Sequence, residues 1–256
     1  MRNIKFLISY NGANYFGFQK QPSSPTIQGE IESALTEILR EKTSINGCSR
    51  TDTGVHAKEY CFNVHINNSI PISGLEKAMN QHLPPDICVL DCQQTSNDFH
   101  ARFDALEKEY LYIINNSNKK DVFKSRLELH YLHALNVEQL NSAAQLFMGE
   151  HDFSAFCRAE SKARLNSTKR TIHSIKISRQ EERVSLFISG NGFLHNMVRI
   201  IVGTLIYYAE GKRTLTDIKQ ALKTGERNKA GFTAPPHGLY LNRVRYKDGS
   251  YVEKSK

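Results

Sequence analysis

Apolar and polar residues alternate along several short stretches of this chain. Residues 3–10 place Ile4, Phe6, Ile8 and Tyr10 at a spacing of two, which is typical of a strand with one buried face. Further strands are predicted over residues 60–66, 86–95, 108–114, 171–179, 183–190 and 239–246. Because alternate side chains of a strand point to opposite faces, each of these strands can cover one side of a core.

Apolar residues spaced three and four apart predict the helices. Residues 26–42 carry Ile27, Ile31 and Leu35 in one stripe after a predicted N-cap at Thr26. Further helices are predicted over residues 75–83, 136–148, 193–209 and 214–223, the second and fourth capped by Asn136 and Thr214. Since paired strands are mixed with helices without strict alternation, the pattern predicts an α+β fold with an antiparallel sheet.

Charge is distributed unevenly along the 256 residues. The chain carries a net charge of +8, of which residues 1–152 account for −4 and residues 153–256 for +12. Residues 158–170 are rich in Arg and Lys and predict a mobile basic loop. A basic face of this kind suits a polyanion such as RNA, although a solvated surface of a basic protein has the same composition.

Several classes of protein are disfavoured by what the sequence lacks. No apolar run approaches the ~20 residues that span a bilayer, and the first residues do not resemble a signal peptide, so we expect a cytoplasmic protein. Five cysteines, an odd number, predict free thiols. Phosphate-binding loops and nucleophile elbows are absent. Cys88 and Cys92 do not have the spacing of a structural zinc site.

The densest polar segment, residues 47–57, contains Arg50 and Asp52. Two residues apart in an extended segment, their side chains project to the same side. An arginine beside a carboxylate keeps it ionised and available as a nucleophile or base. The same residue types are equally compatible with a surface turn that contains an ordinary ion pair.

Three other segments combine aromatic, basic and polar residues. Residues 99–105 precede Tyr110 and Tyr112 on one predicted strand, and rings near Lys and Arg are typical of surfaces that stack RNA bases. Two half-buried core tyrosines are the alternative. His195 and Arg199 lie four apart on a predicted helix, and residues 233–241 form a tight turn that leads into a strand.

Seven motifs in this order resemble those of the tRNA pseudouridine synthase A family, over nearly the whole chain. Tyr10–Gln19 resembles the family's YDG…GWQ, residues 26–29 its TVQG and residues 50–57 its RTDxGVHA. The remaining four are FHARF…KxYxY at residues 99–112, GxHDF at 149–153, GNGFLxxMVRxxxG at 190–203 and APxxGLYL at 234–241.

The resemblance implies two ferredoxin-like subdomains that share a long central antiparallel sheet flanked by helices. We place the N-terminal catalytic subdomain at residues 1–104 and the C-terminal basic subdomain at residues 105–256. It also implies a positively charged cleft and a homodimer. The partner would be tRNA, with no membrane association.

The resemblance implies isomerisation of uridine to pseudouridine at tRNA positions 38, 39 and 40 in the anticodon stem-loop. No atoms are added, so no metal or other cofactor is needed. Asp52 matches the catalytic aspartate, which acts as a nucleophile at the sugar or through a glycal-like species. Arg50 matches the arginine that helps extrude the base, and Tyr110 the tyrosine that stacks on uracil. Further substrate-binding candidates are Leu239, Arg102, His195, Arg199, Arg158 and Arg164.

This chain departs from the family pattern at five positions. Cys48 and Ser49 replace the usual xG before the catalytic motif, and Asn11, Phe18 and Phe232 replace Asp, Trp and Pro. We expect these changes to affect the choice of tRNA site more than activity.

Two other functions stay open. One is a non-catalytic RNA-binding module or tRNA chaperone. The other is a glycosidic-bond hydrolase, which needs a second carboxylate beside Asp52, such as Asp104 or Asp152.

Overall fold

The computed structural model describes residues 1–162 and 166–247. Their strands are β1 (Arg2–Tyr10), β2 (Asn46–Gly47), β3 (His56–Ile66), β4 (Ile87–Thr95), β5 (Ala105–Asn115), β6 (Leu129–His130), β7 (Gly149–Asp152), β8 (Lys169–Gln180), β9 (Arg183–Gly190) and β10 (Leu239–Tyr246). Their α-helices are α1 (Ile27–Leu39), α2 (Ile72–His82), α3 (Val137–Ala144), α4 (Ala159–Lys162), α5 (Met197–Ala209) and α6 (Leu215–Thr224).

The chain divides into two compact units. The first comprises Met1–Leu106 and the segment from Tyr240 onward, and the second comprises Glu107–Leu239. The predicted subdomains instead kept all residues after 104 together. The segment from Tyr240 groups with the first unit because β10 pairs in parallel with β3, placing Tyr240 opposite His56 and Leu241 opposite Ala57.

The first unit contains a ferredoxin-like β1-α1-β2-β3-α2-β4 motif. Its strands lie in the order β4-β1-β3-β2, and each neighbouring pair is antiparallel. Phe6 of β1 lies opposite Phe62 of β3, and their rings stack with centroids 4.7 Å apart. Helix α1 starts where the pattern predicted, because the Thr26 side chain accepts a hydrogen bond from the Gly29 N–H.

The second unit has an antiparallel sheet in the order β5-β9-β8-β7, and β6 pairs in parallel with β5. Each unit therefore combines an antiparallel sheet with helices, which confirms the predicted α+β class. Helix α6 begins with a capping box formed by Thr214 and Asp217. Within the described residues, no helix has the length and apolar character that crossing a bilayer requires.

Two parts of the second unit differ from the prediction. The helix predicted over residues 193–209 begins only at Met197, because Asn196 adopts a left-handed conformation with φ of 65° that a helix cannot continue through. Residues 158–170 are not one continuous loop, since they contain α4 and the start of β8. Arg164 lies outside the described residues. All five cysteines are free, as predicted.

Candidate active site

Asp52 lies in the loop between β2 and β3, which we call the Asp52 loop (residues 48–55). The Asp52 carbonyl accepts a hydrogen bond from the Val55 N–H at 3.1 Å and closes a tight turn. Gly54, the third residue of this turn, has φ of 76°, a conformation that favours glycine. Asp52 is half-buried and Arg50 is exposed.

The last residue of β1 and the segment that follows it hold the Asp52 loop from one side. The Tyr10 hydroxyl lies 2.9 Å from Thr51 Oγ1, and the Phe18 N–H donates to the Thr51 carbonyl at 3.1 Å. The Gly54 N–H donates to the Tyr15 carbonyl at 3.3 Å. Three hydrogen bonds therefore fix the loop on both sides of Asp52.

Gly17 allows this close approach of the two segments. It has φ of 87°, and a Cβ at this position would lie 2.6 Å from the Thr51 carbonyl oxygen. Such a distance is well inside ordinary van der Waals contact. A side chain here would push the backbone of Thr51 and Asp52 away.

Strand β3 supports the other side of the loop. The Tyr60 hydroxyl donates to the Ser49 carbonyl, and its ring stacks on that of Phe18 with centroids 4.3 Å apart. The ring of His56, which is almost fully buried, accepts a hydrogen bond at Nδ1 from the Gly12 N–H at 3.0 Å. The same ring stacks on Tyr240 at 4.7 Å.

This arrangement fixes the backbone and leaves functional side chains at the loop tip. No carboxylate among the described residues lies within ion-pair distance of Arg50, so the Arg50–Asp52 ion pair suggested by the sequence is not formed here. Arg50 is instead exposed. A carboxylate on a fixed backbone is preorganised for attack on a bound substrate.

The two carboxylates considered for a hydrolase are both engaged in local turns. Asp104 accepts from the His100 N–H at 2.8 Å. Asp152 accepts from the Ser154 N–H at 2.9 Å and from the Thr168 hydroxyl at 2.6 Å. These contacts give each of them a structural role.

In the second unit, β5 carries the two predicted stacking tyrosines. Tyr110 is 6% exposed and meets the Phe193 ring edge-on, with centroids 5.0 Å apart. Tyr112 is fully buried, and its hydroxyl donates to the Pro235 carbonyl at 2.8 Å. Burial raises the pKa of Tyr112. Tyr112 is thus a core residue, which is one of the two interpretations that the sequence left open for it.

Several predicted substrate-binding residues of the second unit have partners within the protein. Arg199 donates to the Ala234 carbonyl at 2.7 Å and to the Asn196 side chain at 2.8 Å. Arg158 forms an exposed ion pair with Glu160 at 2.8 Å. His195 lies in the turn before α5, not on the helix with Arg199. Leu239 is buried as the first residue of β10.

Sequence reasoning missed the residues that support the loop. Tyr10, Gly12 and Gly17 belong to a motif that was used only to recognise the family, and their spacing gave no sign that they contact residues 51–56. Tyr60 and His56 were read as ordinary positions of a strand and of a motif. In the described part of the chain, no cluster of three or more His, Cys, Asp or Glu has the arrangement of a metal site.

The sequence of this chain is similar to those of known proteins over nearly its whole length. The sequence profile of a family described as tRNA pseudouridine synthase matches residues 7–104 and 143–247. The tRNA pseudouridine synthase A 2 of Clostridium perfringens is 41% identical over 246 residues, covering 96% of this chain and 100% of that protein. With the same coverage, the tRNA pseudouridine synthase A of Clostridium botulinum is 43% identical and that of Acetivibrio thermocellus 42%.

Proposed function

Because this chain belongs to the tRNA pseudouridine synthase family and is therefore an isomerase that converts uridine in tRNA to pseudouridine, we propose that it acts on the anticodon stem-loop. Its targets there are the uridines at tRNA positions 38, 39 and 40, and Asp52 is the nucleophile. The observation that carries the assignment of Asp52 is the hydrogen-bonded support on both sides of its loop.

In the proposed reaction, the Asp52 carboxylate attacks C1′ of the target ribose and the N1–C1′ bond breaks. Uracil leaves with the electron pair of that bond as a delocalised anion and turns within the site. C5 then attacks C1′ and displaces the carboxylate. Loss of the C5 proton and gain of a proton at N1 complete the product, so atoms and charge balance without a co-reactant.

Arg50 and Tyr110 assist this step in the proposal. The exposed Arg50 guanidinium fills the space left by the extruded uridine, which offsets part of the few kcal/mol that base extrusion costs. Tyr110 stacks on the uracil and accepts the C5 proton, and Leu239 supplies an apolar wall. Tyr110 is suited to a fixed orientation because its ring is already held by Phe193.

The remaining basic candidates have a different part in the proposal. Arg102, His195, Arg199, Arg158 and Arg164 bind the tRNA backbone. Two copies of the chain associate, and the enzyme works in the cytoplasm. Gel filtration with light scattering tests the dimer.

Release of tritium from tRNA labelled at uridine C5 tests the reaction, because forming the C5–C1′ bond expels that hydrogen. We expect release by the wild-type chain and none by Asp52→Asn, which binds tRNA with nearly unchanged affinity. Asp98→Asn removes an exposed carboxylate of the same unit and serves as the matched control with normal release.

Other outcomes would identify the competing functions. Free uracil in the product would indicate a hydrolase. Binding of tRNA without any tritium release from the wild-type chain would indicate a binding module. Equal loss of affinity and turnover in Asp52→Asn would remove the nucleophile assignment.

A further inference from the structure

An exposed aromatic and basic cluster lies in the turn between β4 and β5. Phe103 is 75% exposed, although it is a large apolar side chain. The His100 ring packs against it with centroids 4.3 Å apart, and the Arg102 guanidinium carbon lies 5.7 Å from the Phe103 centroid. We call these three side chains the stacking platform.

Hydrogen bonds within the turn hold the platform in place. The His100 carbonyl accepts from the N–H groups of Phe103 and Asp104 at 3.1 and 3.0 Å. The Arg102 N–H donates to His100 Nδ1 at 3.1 Å, which leaves the ring proton on Nε2. The backbone N–H of Arg102, whose side chain supplies the cation, therefore fixes the orientation of the His100 ring.

Buried contacts anchor the turn to the first unit. Ala101 is fully buried, its N–H donates to the Asn63 side chain at 2.9 Å and its carbonyl accepts from the Tyr246 hydroxyl at 2.8 Å. Phe99 packs against the ring of Tyr246 at 5.2 Å. The anchored turn therefore presents Phe103 to solvent on a backbone that is already ordered. Binding at Phe103 then costs little backbone conformational entropy.

A single exposed apolar residue is ordinary on a protein surface, so the comparison with Phe123 is informative. Phe123 is 92% exposed, but within the described residues no ring or cation packs against it. Phe103 instead has a histidine ring and a guanidinium packed near it and is still 75% exposed. In the part of the chain that the structure describes, the Arg102 guanidinium has no hydrogen-bond or ion-pair partner.

We propose that the stacking platform binds an unpaired base of the tRNA substrate, with the base on the Phe103 ring and the adjacent phosphate at Arg102. Aromatic faces stack on any base, and an arginine beside them binds a phosphate. This inference rests on the proposed function for the identity of the ligand. It adds a binding role for Phe103 and His100 and assigns Arg102 to one phosphate.

Affinity for full-length tRNA tests the platform, measured in the Asp52→Asn background so that the substrate is not consumed. Phe103→Leu keeps apolar bulk and removes the ring, and we expect it to weaken binding by about 5- to 100-fold. Phe103→Trp keeps a stacking face and should bind within about threefold of the parent. Phe123→Leu is the matched control, because it removes an exposed ring that lacks the cluster.

Salt dependence separates the two contacts. Arg102→Ala should lower the slope of log affinity against log salt by about one, because one phosphate contact is lost. Phe103→Leu should shift the line without changing its slope. A fluorescent adenine analogue placed in turn at each unpaired anticodon-loop nucleotide should be quenched at one position, and this quenching should be lost in Phe103→Leu.

Unchanged affinity in Phe103→Leu would overturn the platform. Equal loss of tRNA affinity in Phe103→Leu and Phe103→Trp would also overturn it, because it would indicate a contact that does not depend on stacking. Equal loss of affinity in Phe123→Leu would overturn it as well, because it would indicate a general effect of exposed rings. Thermal melting checks the fold of each variant. Since tritium release by the wild-type chain is measured separately, failure of the platform leaves the proposed reaction standing, and the reverse also holds.

Discussion

Gly17→Ala is the sharpest test of how the Asp52 loop is supported. The substitution adds one methyl group to a residue with φ of 87° and places it 2.6 Å from the Thr51 carbonyl oxygen. This oxygen belongs to the backbone and also accepts the Phe18 N–H. The clash therefore cannot be relieved by rotating a side chain.

Two contributions set the expected loss of stability, and the displacement of Thr51 sets the expected loss of turnover. A left-handed conformation costs a non-glycine residue about 1–2 kcal/mol. Loss of the Phe18–Thr51 hydrogen bond, if the backbone moves, costs about a further 1–3 kcal/mol. Restoring ordinary contact moves Thr51 by about 0.4–0.8 Å, and since a misplacement of about 1 Å can reduce a rate about 100-fold, we expect turnover to fall by about 10- to 100-fold.

Gly149→Ala provides a closely matched control. Gly149 has the same φ of 87°, but a Cβ there would meet no atom within 4 Å. It should therefore carry the cost of the backbone conformation without the clash. Tritium release and thermal melting of both variants give the comparison, and equal turnover in the two would refute the view that Gly17 positions the loop.

Two further predictions concern tyrosine hydroxyls. Tyr60→Phe removes the hydroxyl that donates to the Ser49 carbonyl and should lower the free energy of unfolding by about 1–3 kcal/mol with reduced turnover. Tyr208→Phe removes a hydroxyl without a partner among the described residues and should be nearly neutral in denaturant unfolding. Burial and a hydrogen bond to Glu210 raise the pKa of Tyr131, and burial and a hydrogen bond to Asp86 raise the pKa of Tyr15. Above the ordinary tyrosine pKa of about 10 the unfolded chain loses protons that the folded chain keeps, so stability that is complete below about pH 10 should decline above it. Tyr131→Phe should flatten that decline in denaturant midpoints, and an equal slope in variant and wild type would contradict it.

The strands and long helices were predictable from the sequence because local patterns determine them. Thr26 and Thr214 cap their helices as expected, through contacts with residues three positions away. The start of α5 was predicted too early because apolar residues lie on both sides of Asn196. The pattern of apolar residues does not reveal that Asn196 has a φ of 65°. The grouping of β10 with the first unit was also missed, because parallel pairing with β3 joins residues far apart in sequence.

The candidate site was proposed from the family resemblance, and the contacts that support it were not predicted. Residue type and spacing drew attention to Arg50 and Asp52 but left an ordinary surface turn open. Gly17 and Tyr60, in contrast, act through contacts with Thr51 and Ser49 that depend on how β1 and β3 are aligned. The burial of Tyr112 could not be predicted either. An aromatic residue in an alternating strand gives the same sequence pattern whether it faces a ligand or the core.

Two of the five positions that depart from the family pattern, Phe18 and Cys48, lie against the Asp52 loop or within it. Cys48 is fully buried, and its N–H donates to the Cys61 carbonyl at 2.9 Å. Phe18, 3% exposed, fills the space between the Tyr60 ring and Gly47, where even a Cβ on the glycine would clash with the Phe18 ring. A phenyl ring in place of the usual indole therefore matches a site that is closely packed on both sides.

Phe18 and Cys48 are buried and both contact residues of β3. We therefore expect these two departures to affect the stability and position of the Asp52 loop. A direct effect on the choice of tRNA site is better sought at the exposed side chains of Arg50 and Phe103.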